Sequence, residues 1–200
     1  MPKIIVLLLL VLIMLSIRAT PTAQATPKLI YTYIEGGKMS IKAEHLREVI
    51  EMVLTELADK AGRPSLKSDS AVELLMLTAA QESHAGKYLK QINGPALGIF
   101  QIEPATAEDL FDNFLRYHDD LLDAQITFAQ IINKYNWRSN MMGNLPYQIV
   151  LARLQYFRFA EALPSKHDIA GMAQYYKTYW NTHEGKATVE EAIENYRRYC

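Results

Sequence analysis

The segment from Ala71 to Ser83 constrains the fold most, because it is apolar on nearly every face that a helix would present. A helix without a polar side has to be surrounded by other elements, which places it at the centre of a domain. Ser70, followed three residues later by Glu73, forms a capping-box pattern that predicts the start of this helix. Glu82 then falls in the last turn, where the helix dipole disfavours a negative charge. A carboxyl kept protonated in this way can act as a general acid.

Helical patterns cover most of the chain beyond residue 41. The clearest is an apolar stripe at the spacing of one helix face, formed by Leu46, Val49, Ile50, Val53, Leu54 and Leu57. Start signals predict further helices from Thr106 to about Tyr117, from Asp119 or Asp120 to about Lys134, beyond Asn144, beyond Ser165–Asp168 and from Thr188 to the C-terminus. A weak strand alternation is found only around Leu29 to Ile34. The sequence therefore predicts a mainly α fold.

Composition and charge exclude several classes of function. The chain has 200 residues, enough for one domain, with 21 Lys and Arg against 22 Asp and Glu. The resulting net charge of −1 gives no basic footprint for nucleic acid. Cys200 is the only cysteine, so no disulfide can form within one chain, and the five histidines show no metal-ligand spacing. We expect no cofactor, no metal and no nucleic-acid partner.

The N-terminus carries the pattern of a secretory leader. Lys3 precedes an unbroken apolar run from Ile4 to Leu15, and Ala23-Gln24-Ala25 supplies an A-x-A cleavage site. Residues 1–25 are therefore expected to be a signal peptide or an uncleaved signal-anchor, with residues 4–17 as a membrane contact. Either form exports the body of the protein, to the periplasm or the cell exterior. Residues 26–40 are interpreted as a linker.

Glu82 and Ser83 are followed by a glycine-containing segment that begins 16 residues after the glutamate. This segment reads Gly98-Ile99-Phe100-Gln101-Ile102-Glu103-Pro104-Ala105-Thr106. Together they resemble the core of the soluble lytic transglycosylases and goose-type lysozymes, in which a Glu-Ser pair precedes a G-L-M-Q-[IL]-x-P-x-T segment. The wider arrangement is similar to small lysozyme-like proteins encoded by phages and prophages.

The resemblance implies a lysozyme-like α domain over residues 41–200 that cleaves the bond between MurNAc and GlcNAc in peptidoglycan. In that family, one glutamate protonates the glycosidic oxygen. It then takes a proton from the C6 hydroxyl of the same muramic acid, which leaves a 1,6-anhydro end. The matching residue here is Glu82, which makes it the expected catalytic acid and base. Ser83, Gly98 and Gln101 match motif positions and are the first candidates for substrate binding.

Aromatic residues supply two further candidates for sugar contact. The family's downstream A-Y-N-x-G segment has no counterpart, and Tyr156 is the tyrosine in the corresponding region. A second cluster comprises Tyr175, Tyr176, Tyr179 and Trp180. Aromatic faces suit the apolar faces of sugars. Because Tyr176 falls on the predicted core stripe, Tyr175 is taken as the candidate from this cluster.

Alternatives remain open at the level of chemistry and of function. A hydrolysing lysozyme would need a second carboxylate, for which Glu103 and Asp109 are candidates, although both also suit the solvated start of a helix. The leading hypothesis is a lytic transglycosylase. The others are a wall-binding module without activity, and a membrane-anchored protein of virion structure or assembly.

Overall fold

The structure, a computed structural model, describes residues 32–34, 38–129, 137–181 and 185–200. Helices make up most of these residues. Their bounds are α1 Ala43–Ala61, α2 Asp69–Ser83, α3 Pro104–Asn113, α4 Asp119–Phe128, α5 Trp137–Gly143, α6 Leu145–Phe157, α7 Ile169–Tyr176 and α8 Val189–Tyr199. Short 3-10 helices occupy Pro64–Leu66 and Leu115–Tyr117, and a π-helical turn covers Lys177–Asn181. The prediction of a mainly α fold is confirmed.

Helix α2 lies at the centre of these elements, as its sequence predicted. Every residue from Ala71 to Ala80 is buried. The helix packs against α1, α6, α7 and α8, so that it has neighbours on all its faces. This central position explains why the helix has no polar side, because any face turned to solvent would place apolar side chains in water.

The start of α2 differs from the capping box predicted at Ser70. The N-cap residue is Ser68, whose hydroxyl accepts a hydrogen bond from the backbone amide of Ala71 at 3.0 Å. Glu73 does not reach back to the helix start, because its carboxylate takes both nitrogens of the Arg47 fork, at 2.7 and 2.9 Å. A bidentate ion pair with a buried carboxylate is stronger than a local capping bond, and it therefore determines the direction of the Glu73 side chain.

Other element boundaries also shift from their predicted positions. Thr106 lies inside the first turn of α3, which begins at Pro104 with Glu103 as N-cap residue. A proline favours the first helical position because its missing amide hydrogen is not needed there. The helix predicted to end near Tyr117 is interrupted at Phe114. The helix predicted to run from Asp119 or Asp120 to about Lys134 ends at Phe128, with Ala129 as its C-cap residue, and Lys134 itself lies outside the described residues.

A short antiparallel hairpin precedes the helices. Strands β1, Thr32–Ile34, and β2, Lys38–Ser40, pair with Tyr33 opposite Met39. The hairpin lies within residues 26–40, which were interpreted as a linker, and β1 coincides with the weak strand pattern. The predicted leader, residues 1–25, and its membrane contact, residues 4–17, lie outside the described residues. None of the helices that the structure describes is long and apolar enough to span a bilayer.

Candidate active site

The carboxyl group of Glu82 lies at the C-terminal end of α2, as predicted, among aromatic side chains from the end of α7. The Tyr176 hydroxyl donates a hydrogen bond to Glu82 Oε1 at 2.7 Å. Trp180, on the π-helical turn, lies close enough to the carboxyl group to affect its pKa. The bond from Tyr176 joins the end of the central helix to the end of α7.

The protonation of Glu82 is set by burial acting against Tyr176 and Trp180. Burial raises the pKa of Glu82 from its ordinary value of 4.5, because the charged form loses hydration, whereas Tyr176 and Trp180 lower it. Burial prevails, and the pKa of Glu82 reaches about 7. The residue nevertheless remains partly exposed. A carboxyl group that holds its proton near neutral pH and can be reached from solvent suits general acid catalysis.

A second layer of aromatic residues supports this pair. Tyr156 is fully buried, its hydroxyl lies 2.8 Å from the Thr78 hydroxyl, and its ring centre lies 5.1 Å from that of Trp180. Asn181 accepts a hydrogen bond from Lys177 at 2.7 Å. π-Helical turns are rare and are frequently found at functional sites. Here the turn carries Trp180 and Asn181, whose side chains act on the pKa of Glu82 and of Tyr176 respectively.

Ser83 connects the end of α2 to the glycine segment. Its hydroxyl donates to the carbonyl of Ile99 at 2.6 Å and accepts a hydrogen bond from the amide of Gly86 at 2.9 Å. The residue is fully buried. The two residues of the Glu-Ser pair therefore have different surroundings: Glu82 contacts the aromatic residues at the end of α7, and Ser83 fixes the loop beside it.

The glycine segment is also fixed from α6. The amide of Ile99 donates to Gln148 Oε1 at 2.8 Å, and Gln148 is buried. Gly98 has a φ of 76°, and a Cβ atom there would lie 2.4 Å from the carbonyl oxygen of Met141. Glycine is thus required at position 98 both for its backbone conformation and for the close approach of another backbone. The side-chain amide of Gln101 donates to the carbonyl of Gly98 at 2.6 Å and closes the turn.

Backbone strain is concentrated around this site. Among the described residues, four that are not glycine have positive φ angles: His84, Ala85, Asn93 and Gln101. All of them fall in the 20 residues that follow α2. Left-handed conformations of such residues are costly and cluster at functional sites, where the surrounding structure enforces them.

The predicted site residues thus fall into two groups. The predicted catalytic residue Glu82 is followed by Ser83, which is bonded to the glycine segment that contains Gly98 and Gln101. Tyr156 and Tyr175 do not offer a free ring face there. Tyr156 is in the core, and Tyr175 is buried with its hydroxyl donating to the carbonyl of Glu161 at 3.1 Å.

The contact between Tyr176 and Glu82 was not predicted from the sequence. Tyr176 is in the core, as its place on the apolar stripe predicted, and is 1% exposed, but no partner was predicted for its hydroxyl. A buried tyrosine hydroxyl usually has a hydrogen-bond partner. The burial of Tyr176 therefore implies a hydrogen-bond acceptor near its hydroxyl. No comparable sequence feature indicated that Gln148 would bind the glycine segment.

The two alternative carboxylates lie apart from the groups that act on Glu82. Glu103 is exposed at the start of α3. Asp109 is exposed and bound by Arg158 at 2.6 Å, and this bond keeps the pKa of Asp109 below its ordinary value. Within the part of the chain that the structure describes, the pKa of Glu82 is shifted by burial, Tyr176 and Trp180, and not by a second carboxylate. The described side chains form no cluster of three or more metal-ligating residues.

Comparisons of the chain with family models, with curated proteins and with solved structures find no match.

Replacing Gly98 by alanine should disrupt the site, and Gly62 offers a matched control. Both glycines have positive φ angles, but the space around Gly62 is open, whereas a Cβ at Gly98 meets the Met141 carbonyl. We expect Gly62→Ala to lower the free energy of unfolding by about 1 kcal/mol, and Gly98→Ala by roughly 3 kcal/mol. Denaturant unfolding measures both values. Equal losses would show that the contact between Gly98 and Met141 is absent.

Glu82 should make the protein less stable as the pH rises. The folded protein holds the Glu82 proton up to a pKa of about 7, whereas the unfolded chain releases it near 4.5. The folded state therefore loses stability between these values, by about 3 kcal/mol in total, and loses no more above pH 7. Glu82→Gln has no proton to release. Relative to the parent, the free energy of unfolding of the variant should therefore rise by this amount between pH 4 and pH 8.

Denaturant unfolding at several pH values measures that difference. Glu103→Gln is the matched control, because it makes the same change at an exposed carboxyl group. A difference between Glu82→Gln and the parent that does not vary with pH would mean that Glu82 is ionised at neutral pH.

Proposed function

We propose that the protein is an exported, lysozyme-like enzyme that cleaves the glycan strands of peptidoglycan by lytic transglycosylation. Glu82 protonates the oxygen of the bond between MurNAc and GlcNAc. The same residue then accepts a proton from the C6 hydroxyl of the muramic acid, which closes a 1,6-anhydro ring. The observation that carries the proposal is the Glu82 carboxyl group, partly buried at the end of α2, with a pKa of about 7.

A pKa near neutrality supports both halves of this cycle. The group has to arrive protonated, donate to the leaving oxygen, and then act as a base toward the C6 hydroxyl. A general acid and base works best when its pKa lies near the working pH. The Tyr176 hydroxyl, 2.7 Å from Oε1, orients the carboxyl group in both states and stabilises the ionised one.

The surroundings of Glu82 favour a mechanism with one acid over a mechanism with two. Most glycosidases use two carboxyl groups on either side of the scissile bond. Of the two alternatives, Asp109 is held by Arg158 and Glu103 is exposed at a helix start. Neither contributes to the pKa of Glu82. An intramolecular attack by the C6 hydroxyl needs no second carboxylate.

The glycine segment is the proposed wall of the sugar site. Ser83 and Gln148 bind its backbone on either side of Ile99, and Gln101 folds back onto Gly98. Ser83 therefore acts as a positioning residue. Gln101, which is partly exposed, is the side chain proposed to reach the substrate. We propose export on the basis of the predicted leader, and the intact mass of the mature protein tests it.

Glu82→Gln should abolish cleavage while leaving the fold intact. Glutamine keeps an oxygen that can accept the Tyr176 bond, but it cannot deliver a proton. General acid–base catalysis typically contributes about 10²–10⁴-fold, so the loss should be of that size. Release of soluble muropeptides from purified peptidoglycan measures the activity, and mass spectrometry separates 1,6-anhydro ends from reducing ends.

Glu103→Gln and Asp109→Asn are the controls, and each should keep activity within a few-fold of the parent. If Glu103→Gln is as inactive as Glu82→Gln and the parent releases reducing ends, a hydrolase with two carboxylates replaces the proposal. If the parent binds peptidoglycan but releases nothing, the protein is a wall-binding module. No binding and no release, with residues 1–25 retained, would favour the membrane-anchored assembly protein.

A further inference from the structure

Arg153 is a cation buried within the body of the protein, on α6. Only 4% of the residue is exposed. Its Nε donates to the carbonyl of Leu66 at 2.7 Å, its Nη2 donates to the carbonyl of Ser65 at 3.1 Å, and its guanidinium carbon lies 5.0 Å from the ring centre of Phe157. A guanidinium has five N–H donors. The two carbonyls therefore leave donors for a further acceptor.

The charge of Arg153 is not balanced by an acid in the described part of the chain. The ion pairs formed by described side chains involve other cations. Burial accordingly lowers the pKa of Arg153 to about 10. Burying a charge without a counter-ion is strongly unfavourable, and such charges are normally paired. Arg47, on α1, illustrates the ordinary arrangement, since a carboxylate takes both nitrogens of its fork.

A cavity of about 520 Å³ opens beside Arg153. The volume is that of a small-molecule site. The cavity exposes more polar than apolar surface, and its lining includes Ser65, Ser68, Ser70, Phe157, Phe159 and Leu163. Ser68 is the N-cap of α2, so the positive end of that helix dipole lies at the same cavity.

Two acids lie at or next to the cavity lining. Glu161 is an exposed residue of the lining, and the ion pairs formed by described side chains do not include it. Asp69, between Ser68 and Ser70 in the first turn of α2, is bound by Lys166 at 2.6 Å. Within the described part of the chain, the Arg153 guanidinium therefore has no carboxylate paired with it.

We propose that this cavity binds the carboxylate of a small ligand, with Arg153 as its paired cation. The planar fork of arginine matches the two oxygens of a carboxylate, and the cavity beside it takes the body of the ligand. Two sources have this chemistry: the free carboxyl end of a wall peptide, and a free short-chain acid. The inference does not depend on cleavage by Glu82, because neither ligand contains a glycosidic bond.

Calorimetric titration of the full chain tests the proposal with two acids and their neutral amides. The probes are N-acetyl-D-alanyl-D-alanine, butyrate, and the C-terminal amide of each. At least one acid should bind about tenfold or more tightly than its own amide, because a charge-assisted hydrogen bond is lost in the amide. The acid that binds more tightly identifies the source as a peptide end or a free acid.

Two variants and a control assign the binding to this cavity. Arg153→Met should weaken binding of the acid about tenfold or more, to the affinity of the amide. Ala162→Glu places a competing carboxylate on an exposed residue of the cavity lining and leaves the bonds of Arg153 to Leu66 and Ser65 intact. It should weaken the acid by a similar factor. Ala170→Glu, exposed on α7 and outside the lining, should bind as the parent does.

The proposal is overturned if both acids bind no more tightly than their amides, or if Ala162→Glu binds the acid as the parent does. Should Arg153→Met fail to fold, the comparison of Ala162→Glu with Ala170→Glu decides. These outcomes are independent of muropeptide release, so a failure here leaves the test of Glu82 unaffected, and the reverse also holds.

Discussion

The loss of hydration at the Glu82 carboxyl is the interaction on which the rest of the site depends. Burial alone would make this acid a poor proton donor at neutral pH, because it would hold its proton too firmly. Tyr176 and Trp180 offset part of that effect and bring the pKa to about 7. The end of α7 and the π-helical turn therefore set the acidity of Glu82 as well as its position.

Helix α2 holds two carboxyl groups, Glu73 and Glu82, whose pKa values are shifted in opposite directions. Burial acts to raise the pKa of Glu73 as well, but hydrogen bonds from Arg47 and Tyr196 outweigh it, and the pKa of Glu73 lies below its ordinary value. Glu82 receives only neutral donors and stays protonated over a wider range of pH. The pKa values of these two carboxyl groups thus differ because Glu73 has a cationic partner and Glu82 does not.

The sequence predicted what depends on local pattern and on periodicity. The central position of α2 and the place of Glu82 in its last turn followed from an apolar surface without a polar side. The cap at Ser68 could not be predicted, because Glu73, the expected partner of a cap at Ser70, instead pairs with Arg47, which lies 26 residues earlier. The donors to Glu82 were missed for the same reason, since Tyr176 lies 94 residues further along the chain. Long-range pairs of polar side chains leave no periodic signal.

A direct titration of the Glu82 side chain tests the central claim most directly. Carbon-detected NMR of protein labelled at the glutamate carboxyl carbons follows each group through pH, and the spectrum of Glu82→Gln assigns the signal. The structure predicts a midpoint of about 7 for Glu82, and a midpoint for Glu73 below the ordinary value of 4.5. A midpoint near 4.5 for Glu82 would mean that the group is ionised at neutral pH and would contradict its proposed role as the acid.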